Sequence, residues 1–138
     1  MIKTYALAAT AMLFSSTPGL AQDASEYLIE CQKGETVCEA AYNQFKDEFP
    51  KAYRRDYQSQ RNVAFCLSRD CDGAIAKQPV FGCAWRMVIV ASGSPKVGQT
   101  DASALKIDCS KLDKIEMQAA ISQADALMRK IYKRPLPR

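Results

Sequence analysis

Apolar residues recur at helical spacing along most of the chain, and no segment sustains an alternation of apolar and polar positions. The longest pattern lies near the C-terminus, where Ser110 begins a predicted helix, Asp113 completes a capping box and Pro135 ends the helix. The predicted apolar stripe of this helix consists of Leu112, Ile115, Ala119, Ala120, Ala124, Leu127, Met128 and Ile131. The hydrophobic pattern therefore predicts an all-α fold.

Three further helices are predicted in the first half of the chain. A short helix is expected over residues 27–31, because its apolar side chains share one face and Gly34 supplies a stop. A second helix is expected over residues 38–49. Pro50 suits the first turn of a helix, so it is expected to begin a third one that ends near Ser68.

Residues 79–92 form the most apolar segment after the N-terminal region, with apolar side chains on nearly every helical face. We predict a buried helix that begins at Pro79. A buried strand over the MVIVA core is the alternative, because a short apolar run fits either structure. A short helix is then expected over residues 102–109, capped by Thr100 or Asp101.

The first 21 residues have the layout of a cleavable export signal. Lys3 supplies a positive charge, residues 6–14 form a short apolar run, and small residues precede the predicted cut after residue 21. The run is shorter than the roughly 20 apolar residues that span a bilayer, which favours a cleaved signal over a membrane anchor. We therefore expect a periplasmic or secreted protein with one domain over residues 22–134 and a tail over 135–138.

The chain contains six cysteines and no histidine. An even number of cysteines in an exported chain indicates a disulfide framework. The predicted helix joints favour the sequential pairing Cys31–Cys38, Cys66–Cys71 and Cys83–Cys109, and the chief alternative joins Cys66 to Cys83 and Cys71 to Cys109. A zinc site is the competing interpretation, but the spacings C-x6-C and C-x4-C are not those of tight zinc knuckles. No metal and no cofactor is expected.

Residues 62–93 contain a pattern of small residues and one tryptophan that fits two closely packed helices. The positions concerned are Ala64, Gly73, Gly82, Trp85 and Gly93. Ala64 and Gly82 would let the two helices approach closely, Gly73 would permit the turn, and Trp85 would fill the space between hairpins. Trp85 lies ten residues after Ile75, and Gly93 lies eight residues after Trp85.

This segment resembles the SEL-one-like repeat, a relative of the tetratricopeptide helical hairpin. The resemblance implies a fold of short, tetratricopeptide-like helical hairpins that present a surface for protein binding. Cysteine-rich secreted members of that family staple neighbouring helices with closely spaced cysteines. The segment CQKGETVC, which contains Cys31 and Cys38, looks like that device.

Two basic segments are candidates for partner binding. The first is a set of cations interleaved with tyrosines on the helix predicted over 50–68, namely Lys51, Arg54, Arg55, Arg61, Tyr53 and Tyr57. Arginine and tyrosine suit interfaces with acidic partners, whereas the competing interpretation is a solvated face with core tyrosines. The second is the tail RKIYKRPLPR, for which a frayed, solubilising end is the alternative.

We find no catalytic motif in the sequence. The absence of histidine removes the Ser/His/Asp and Cys/His systems, and the glycine patterns of phosphate-binding loops do not occur. Acidic residues are scattered among lysines and arginines, which is typical of a solvated surface. Removal of residues 1–21 lowers the formal net charge from +4 to +3, a mild value that does not imply binding to nucleic acid.

These observations favour an exported, non-enzymatic module that binds another envelope or periplasmic protein. A secreted inhibitor or immunity protein directed against a cell-wall-degrading enzyme is the alternative, because small disulfide-rich domains also suit that role. An envelope hydrolase that uses carboxylates alone is a third hypothesis. The sequence does not identify the partner or the oligomeric state.

Overall fold

The computed structural model describes residues 23–138, so the predicted export signal lies outside the described residues. A 3-10 turn at Ala24–Glu26 is followed by five α-helices: α1 Thr36–Tyr53, α2 Tyr57–Arg69, α3 Pro79–Ala91, α4 Gln99–Cys109 and α5 Lys114–Tyr132. The predicted all-α class is confirmed. The apolar segment over residues 79–92 is the helix α3, and its strand alternative is wrong.

The helix predicted over residues 27–31 is wrong, because this segment is extended. Ile29 N donates a hydrogen bond to Ala74 O at 2.8 Å, and Ala76 N donates to Tyr27 O at 2.8 Å, so the segment pairs with the loop after α2. The Tyr27 ring also packs on Phe81 with a centroid separation of 5.6 Å. These long-range contacts outweigh the weak helical pattern of a segment this short.

The predicted break at Pro50 is also wrong, since α1 continues through it to Tyr53. Phe45, Phe49 and Ala52 form a buried stripe on this helix, and their burial outweighs the one backbone hydrogen bond that proline forfeits near the helix end. The break occurs instead at Asp56, whose carboxylate accepts a hydrogen bond from Ser59 N at 2.7 Å and caps α2.

Three disulfides join the six cysteines in the sequential order: Cys31–Cys38, Cys66–Cys71 and Cys83–Cys109. The short Cys66–Cys71 bridge is possible because α2 ends at Arg69 and the chain then turns sharply. The four residues from Asp70 to Gly73 all have positive φ angles, between 43° and 79°. Disulfides of this kind are typical of proteins in an oxidising, extracytoplasmic environment.

The core lies between α1, α2, α3 and α5. Trp85 of α3 is fully buried, and its ring meets Tyr53 at 5.1 Å in an edge-to-face arrangement and Phe81 at 6.1 Å. Such aromatic pairs add about 0.5–1.5 kcal/mol beyond the area that they bury. Ala64 on α2 is also fully buried, and Gly73 and Gly93 take positive φ angles in the loops that follow α2 and α3.

Gly82 marks the closest approach of α3 to α2. A Cβ atom at this position would lie 2.3 Å from Ser68 Oγ and 3.3 Å from Ala64 O. We expect Gly82→Ala to lower the free energy of unfolding by about 1 kcal/mol, because crowding that costs about 1–3 kcal/mol outweighs a helix-propensity gain of about 1 kcal/mol. Urea denaturation of the oxidised protein measures this difference.

The matched rescue is the double variant Gly82→Ala, Ser68→Ala. It removes the hydroxyl nearest the new methyl group, and that hydroxyl is buried without a hydrogen-bond partner. We expect the double variant to recover part of the lost stability. Equal stability of Gly82→Ala and the unsubstituted protein would show that the two helices have room to separate.

The start of α5 differs from the prediction. Asp113 is the N-cap rather than the third helical residue, since its Oδ1 accepts hydrogen bonds from Ile115 N and Glu116 N, each at 2.8 Å. Glu116 Oε2 accepts in return from Asp113 N at 2.9 Å, which completes the capping box. Ile115 consequently lies in the first exposed turn and is 81% exposed, so it does not belong to the apolar stripe.

The inward face of α4 is polar rather than apolar. Its fully buried positions are Asp101, Asp108 and Cys109. Asp108 accepts hydrogen bonds from Arg86 Nε at 2.8 Å and from Arg69 Nη2 at 3.0 Å, so one carboxylate joins α4 to α3 and α2. This helix is therefore held by ion pairs, by the Cys83–Cys109 disulfide and by a small apolar cluster around that disulfide, which includes Leu105 of α4.

Candidate functional site

The six residues of the predicted basic patch do not lie on one helix. Lys51 and Tyr53 belong to the end of α1, Tyr57 and Arg61 belong to α2, and Arg54 and Arg55 lie in the turn between these helices. Arg55 has a φ angle of 70°, in the left-handed region, which reverses the chain direction. The patch is therefore divided between two helices and a turn, and its members have different environments.

Tyr57 and Arg61 face α4 rather than a partner. Tyr57 Oη donates to Asp101 Oδ2 at 2.7 Å, and Arg61 Nε lies 3.1 Å from Asp101 Oδ1. Gly98 N donates to the same carboxylate at 3.0 Å. The hydrogen bond to Asp101 raises the pKa of Tyr57. These two side chains hold α4 in place, and their assignment to an open patch is corrected accordingly.

Lys51 and Tyr53 are also engaged within the chain. Lys51 forms a hydrogen-bonded ion pair with Asp47 one helical turn earlier, which raises the pKa of Lys51 and compensates its charge. Tyr53 is half-buried against Trp85, and burial raises its pKa, so its hydroxyl stays protonated at neutral pH. Lys130 Nζ from α5 lies 5.7 Å from the centre of the Tyr53 ring.

Arg55 joins the predicted patch to the basic tail. Its Nε donates to Ile131 O at 2.9 Å, and its guanidinium lies 5.1 Å from the centre of the Tyr132 ring. Arg134 approaches the same ring at 5.9 Å. Two basic segments that lie far apart in the sequence therefore meet at the ends of α1 and α5.

We call this region the cationic surface. It consists of five exposed cations around two half-buried tyrosine rings: Arg54, Arg55, Lys130, Lys133, Arg134, Tyr53 and Tyr132. Within residues 23–138, none of the five cations takes part in a salt bridge. The carboxylate of Asp56, which caps α2, is one nearby negative charge. The five cations therefore leave an excess of positive charge on this surface.

The cationic surface lies at the C-terminal ends of α3 and α5. Arg134 Nη2 donates to Ala91 O at 2.7 Å and to Ser92 O at 3.1 Å, at the end of α3. Lys133 has a φ angle of 60° and ends α5, and its Nζ donates to Lys130 O at 2.9 Å. Cations near carbonyl ends complement the helix dipole, so part of this basic charge stabilises the fold.

The Tyr132 ring is fixed by the buried Gln60. Gln60 Nε2 donates to Tyr132 Oη at 3.0 Å and to Ala52 O at 3.0 Å, which joins the end of α5 to the α1–α2 turn. Gln60 is only 1% exposed. Sequence reasoning missed Lys130, Lys133, Arg134 and Tyr132 as partners of the first patch, because nothing local in either segment indicates that they meet.

The tail over residues 135–138 is not a frayed end. Leu136 is partly buried against the core, and its backbone N–H donates to Asp125 Oδ1 at 2.9 Å. Hydrogen bonds from Arg129 and from Leu136 lower the pKa of Asp125. The tail thus folds back along α5 and fixes the direction in which Arg134 leaves the helix.

The opposite end of α1 is acidic. Glu30, Glu39, Tyr42 and Asn43 line a cleft of about 230 Å³ beside the Cys31–Cys38 disulfide. With 18 residues, α1 spans about 27 Å and separates this cleft from the cationic surface. The acidic cleft and the cationic surface therefore lie at opposite ends of α1.

No helix among residues 23–138 is both long enough and apolar enough to cross a membrane. The same residues contain no group of three or more cysteine, aspartate and glutamate side chains placed to hold a metal ion. A scan against models of known protein families, a search of curated proteins and a search of solved structures each found no match to this chain. The candidate functional site of this chain is therefore the cationic surface.

Proposed function

We propose that this chain is an exported, non-enzymatic interaction module that binds an acidic protein of the envelope or periplasm through the cationic surface. The observation that carries the proposal is the meeting of two separate basic segments around Tyr53 and Tyr132, where none of the five cations forms a salt bridge with another residue of 23–138.

Arginine and tyrosine are well suited to this role. Both residues are enriched at the positions that contribute most of the binding energy of an interface. The guanidinium can bind a carboxylate through two hydrogen bonds, and the tyrosine ring supplies a rigid contact surface. An excess of charge also accelerates association with a partner of opposite sign, and this acceleration weakens as the salt concentration rises. Binding by the cationic surface is therefore expected to be salt-dependent.

The export part of the proposal is supported by the signal-like layout of residues 1–21 and by the three disulfides. The non-enzymatic part is supported by the absence of histidine, the commonest general acid and base. In the α2–α3 hairpin, Gly82 lies at the closest approach of the two helices and Trp85 lies in the core. The resemblance of this segment to the SEL-one-like repeat stays a prediction, and helical-repeat proteins bind partners through stacked hairpins.

The proposal is tested with a labelled decaglutamate peptide and the mature protein, using fluorescence anisotropy at low and at physiological salt. The triple variant Arg54→Glu, Lys130→Glu, Lys133→Glu reverses charge on the cationic surface. We expect it to weaken peptide binding by about tenfold or more, since each reversed charge repels the peptide.

The matched control is Lys46→Glu, Lys106→Glu, Lys114→Glu. These lysines are exposed on α1, α4 and α5, and their reversal changes the net charge of the protein by the same amount. We expect less than about a twofold change at physiological salt, where the screening length is about 8 Å. Equal losses in the two variants, or no binding by the unsubstituted protein, would refute the cationic surface as the site.

A further inference from the structure

Two arginines of the cationic surface are held in fixed positions by the backbone. Arg55 Nε donates to Ile131 O at 2.9 Å, and Arg134 Nη2 donates to Ala91 O and Ser92 O at 2.7 and 3.1 Å. Arginine normally loses much of its side-chain conformational entropy when it is ordered. Folding already orders these two side chains in part, so they lose less conformational entropy when a ligand binds.

Both guanidiniums flank one rigid ring. Their Cζ atoms lie 5.1 and 5.9 Å from the centre of Tyr132, whose hydroxyl accepts a hydrogen bond from the buried Gln60. Arg55 retains both of its terminal amino groups for a ligand, and Arg134 retains Nη1 and Nε. The two terminal amino groups of Arg55 form a planar fork that can receive one carboxylate through two parallel hydrogen bonds. Arg134 Nη2 is already engaged, so this residue offers single hydrogen bonds from Nη1 and Nε.

We propose that Arg55, Tyr132 and Arg134 form an arginine clamp that anchors the carboxylates of an acidic peptide segment in the partner protein. This inference rests on the proposed function and identifies the side chains that contact the ligand. Lys130, Lys133 and Arg54 surround the clamp and act through charge, whereas the clamp acts through directed hydrogen bonds.

Apolar surface next to the clamp favours a peptide over a simple anion. The Tyr132 ring is half-buried between the two guanidiniums, and Val90, which precedes Ala91 on α3, is 38% exposed. An aspartate- or glutamate-rich segment with an apolar side chain would use both kinds of contact. Inorganic phosphate or a phosphate polymer would use the guanidiniums and the charges but not the apolar contacts.

The decisive variant is Arg55→Lys, Arg134→Lys, which keeps the net charge and removes both guanidiniums. We expect it to weaken binding of the labelled decaglutamate peptide by about tenfold. The matched control Arg129→Lys, Arg138→Lys alters two exposed arginines outside the cationic surface, and we expect a change of less than about twofold. Far-UV circular dichroism and thermal unfolding establish that both variants are folded.

A second measurement needs no variant. In the unsubstituted protein, the Nε–Hε resonances of Arg55 and Arg134 should shift when the peptide is added, and that of Arg54 should shift much less. Competition with inorganic phosphate and with polyphosphate of matched charge tests the ligand class. We expect both to displace the peptide more weakly than unlabelled decaglutamate does.

Failure of the clamp and failure of the proposed function give different results. If Arg55→Lys, Arg134→Lys binds as tightly as the unsubstituted protein while the glutamate triple variant still loses affinity, the clamp is wrong and the cationic surface acts through charge. If the triple variant also binds normally, the proposed function is wrong. Polyphosphate that binds as tightly as the peptide would overturn the assignment to a peptide segment.

Discussion

Asp108→Ala is expected to lower the free energy of unfolding by about 3–5 kcal/mol, because it leaves the charge of Arg86 buried without a partner. The Arg86 side chain is only 8% exposed, and its Nε lies 2.8 Å from Asp108 Oδ2. The Asp108 side chain is 2% exposed and receives Arg69 on its other oxygen. A loss of this size is a large share of the roughly 5–15 kcal/mol that stabilises a typical domain.

Two variants separate the cost of a buried charge from the loss of one contact. Asp125→Ala removes a partly exposed ion pair with Arg129, one helical turn away on α5, and the hydrogen bond from Leu136 N. Such contacts contribute only about 0–1 and about 0.5–1.5 kcal/mol. The double variant Asp108→Leu, Arg86→Met replaces the buried pair with apolar side chains. We expect it to recover most of the lost stability, because neither charge then remains unpaired.

Urea denaturation of the oxidised proteins, followed by circular dichroism, measures all three variants. An Asp108→Ala protein within about 1 kcal/mol of the unsubstituted one would mean that water satisfies the Arg86 guanidinium, and the buried ion pair would lose its structural role. The same result would show that the contacts of Asp108 contribute little to holding α4 in place. The comparison with Asp125→Ala guards against a general effect of removing aspartate.

Local pattern was sufficient to predict the long helices but not the chain breaks. The apolar residues of α3 and α5 identify both helices, since burial follows their period. Pro50 was misread because proline suits either a first turn or a position near the end of a helix, and the choice depends on the packing of Phe49. Tyr27 was misread because its extended segment is stabilised by a distant loop.

The candidate site could be predicted only in part, because it is assembled by long-range contacts. Arg54 and Arg55 were identified from composition, but their meeting with Arg134 depends on how α5 packs. Tyr57 and Arg61 belong to the same basic run, yet they are bound to Asp101 on α4. Spacing on one helix does not reveal which side a later helix will cover.

The buried carboxylates on the inward face of α4 explain why the sequence of this helix shows little hydrophobic periodicity. Its buried positions include Asp101 and Asp108, which sequence patterns assign to solvent. Only the arginines and the tyrosine on α2 and α3 make their burial favourable. A short helix that docks through carboxylates therefore shows almost no apolar stripe, and its attachment depends on the few bonds that reach it.

The Cys83–Cys109 disulfide is the covalent part of that attachment. Its cysteines are 26 residues apart, compared with seven for Cys31–Cys38 and five for Cys66–Cys71. In the chain-entropy treatment, a longer closed loop restricts the unfolded chain more. The stabilisation is then about 3.5 kcal/mol for Cys83–Cys109 and about 2–2.5 kcal/mol for each of the shorter bridges.

We expect the double variant Cys83→Ala, Cys109→Ala to lose the most stability of the three possible bridge deletions. Cys83 is fully buried and Cys109 is 6% exposed, so the removed sulfur atoms also leave a small packing defect. The matched controls are the alanine pairs at the two shorter bridges, measured by urea denaturation under identical conditions. A loss no greater than theirs would refute the ranking and would mean that the buried carboxylates alone hold α4 against α2 and α3.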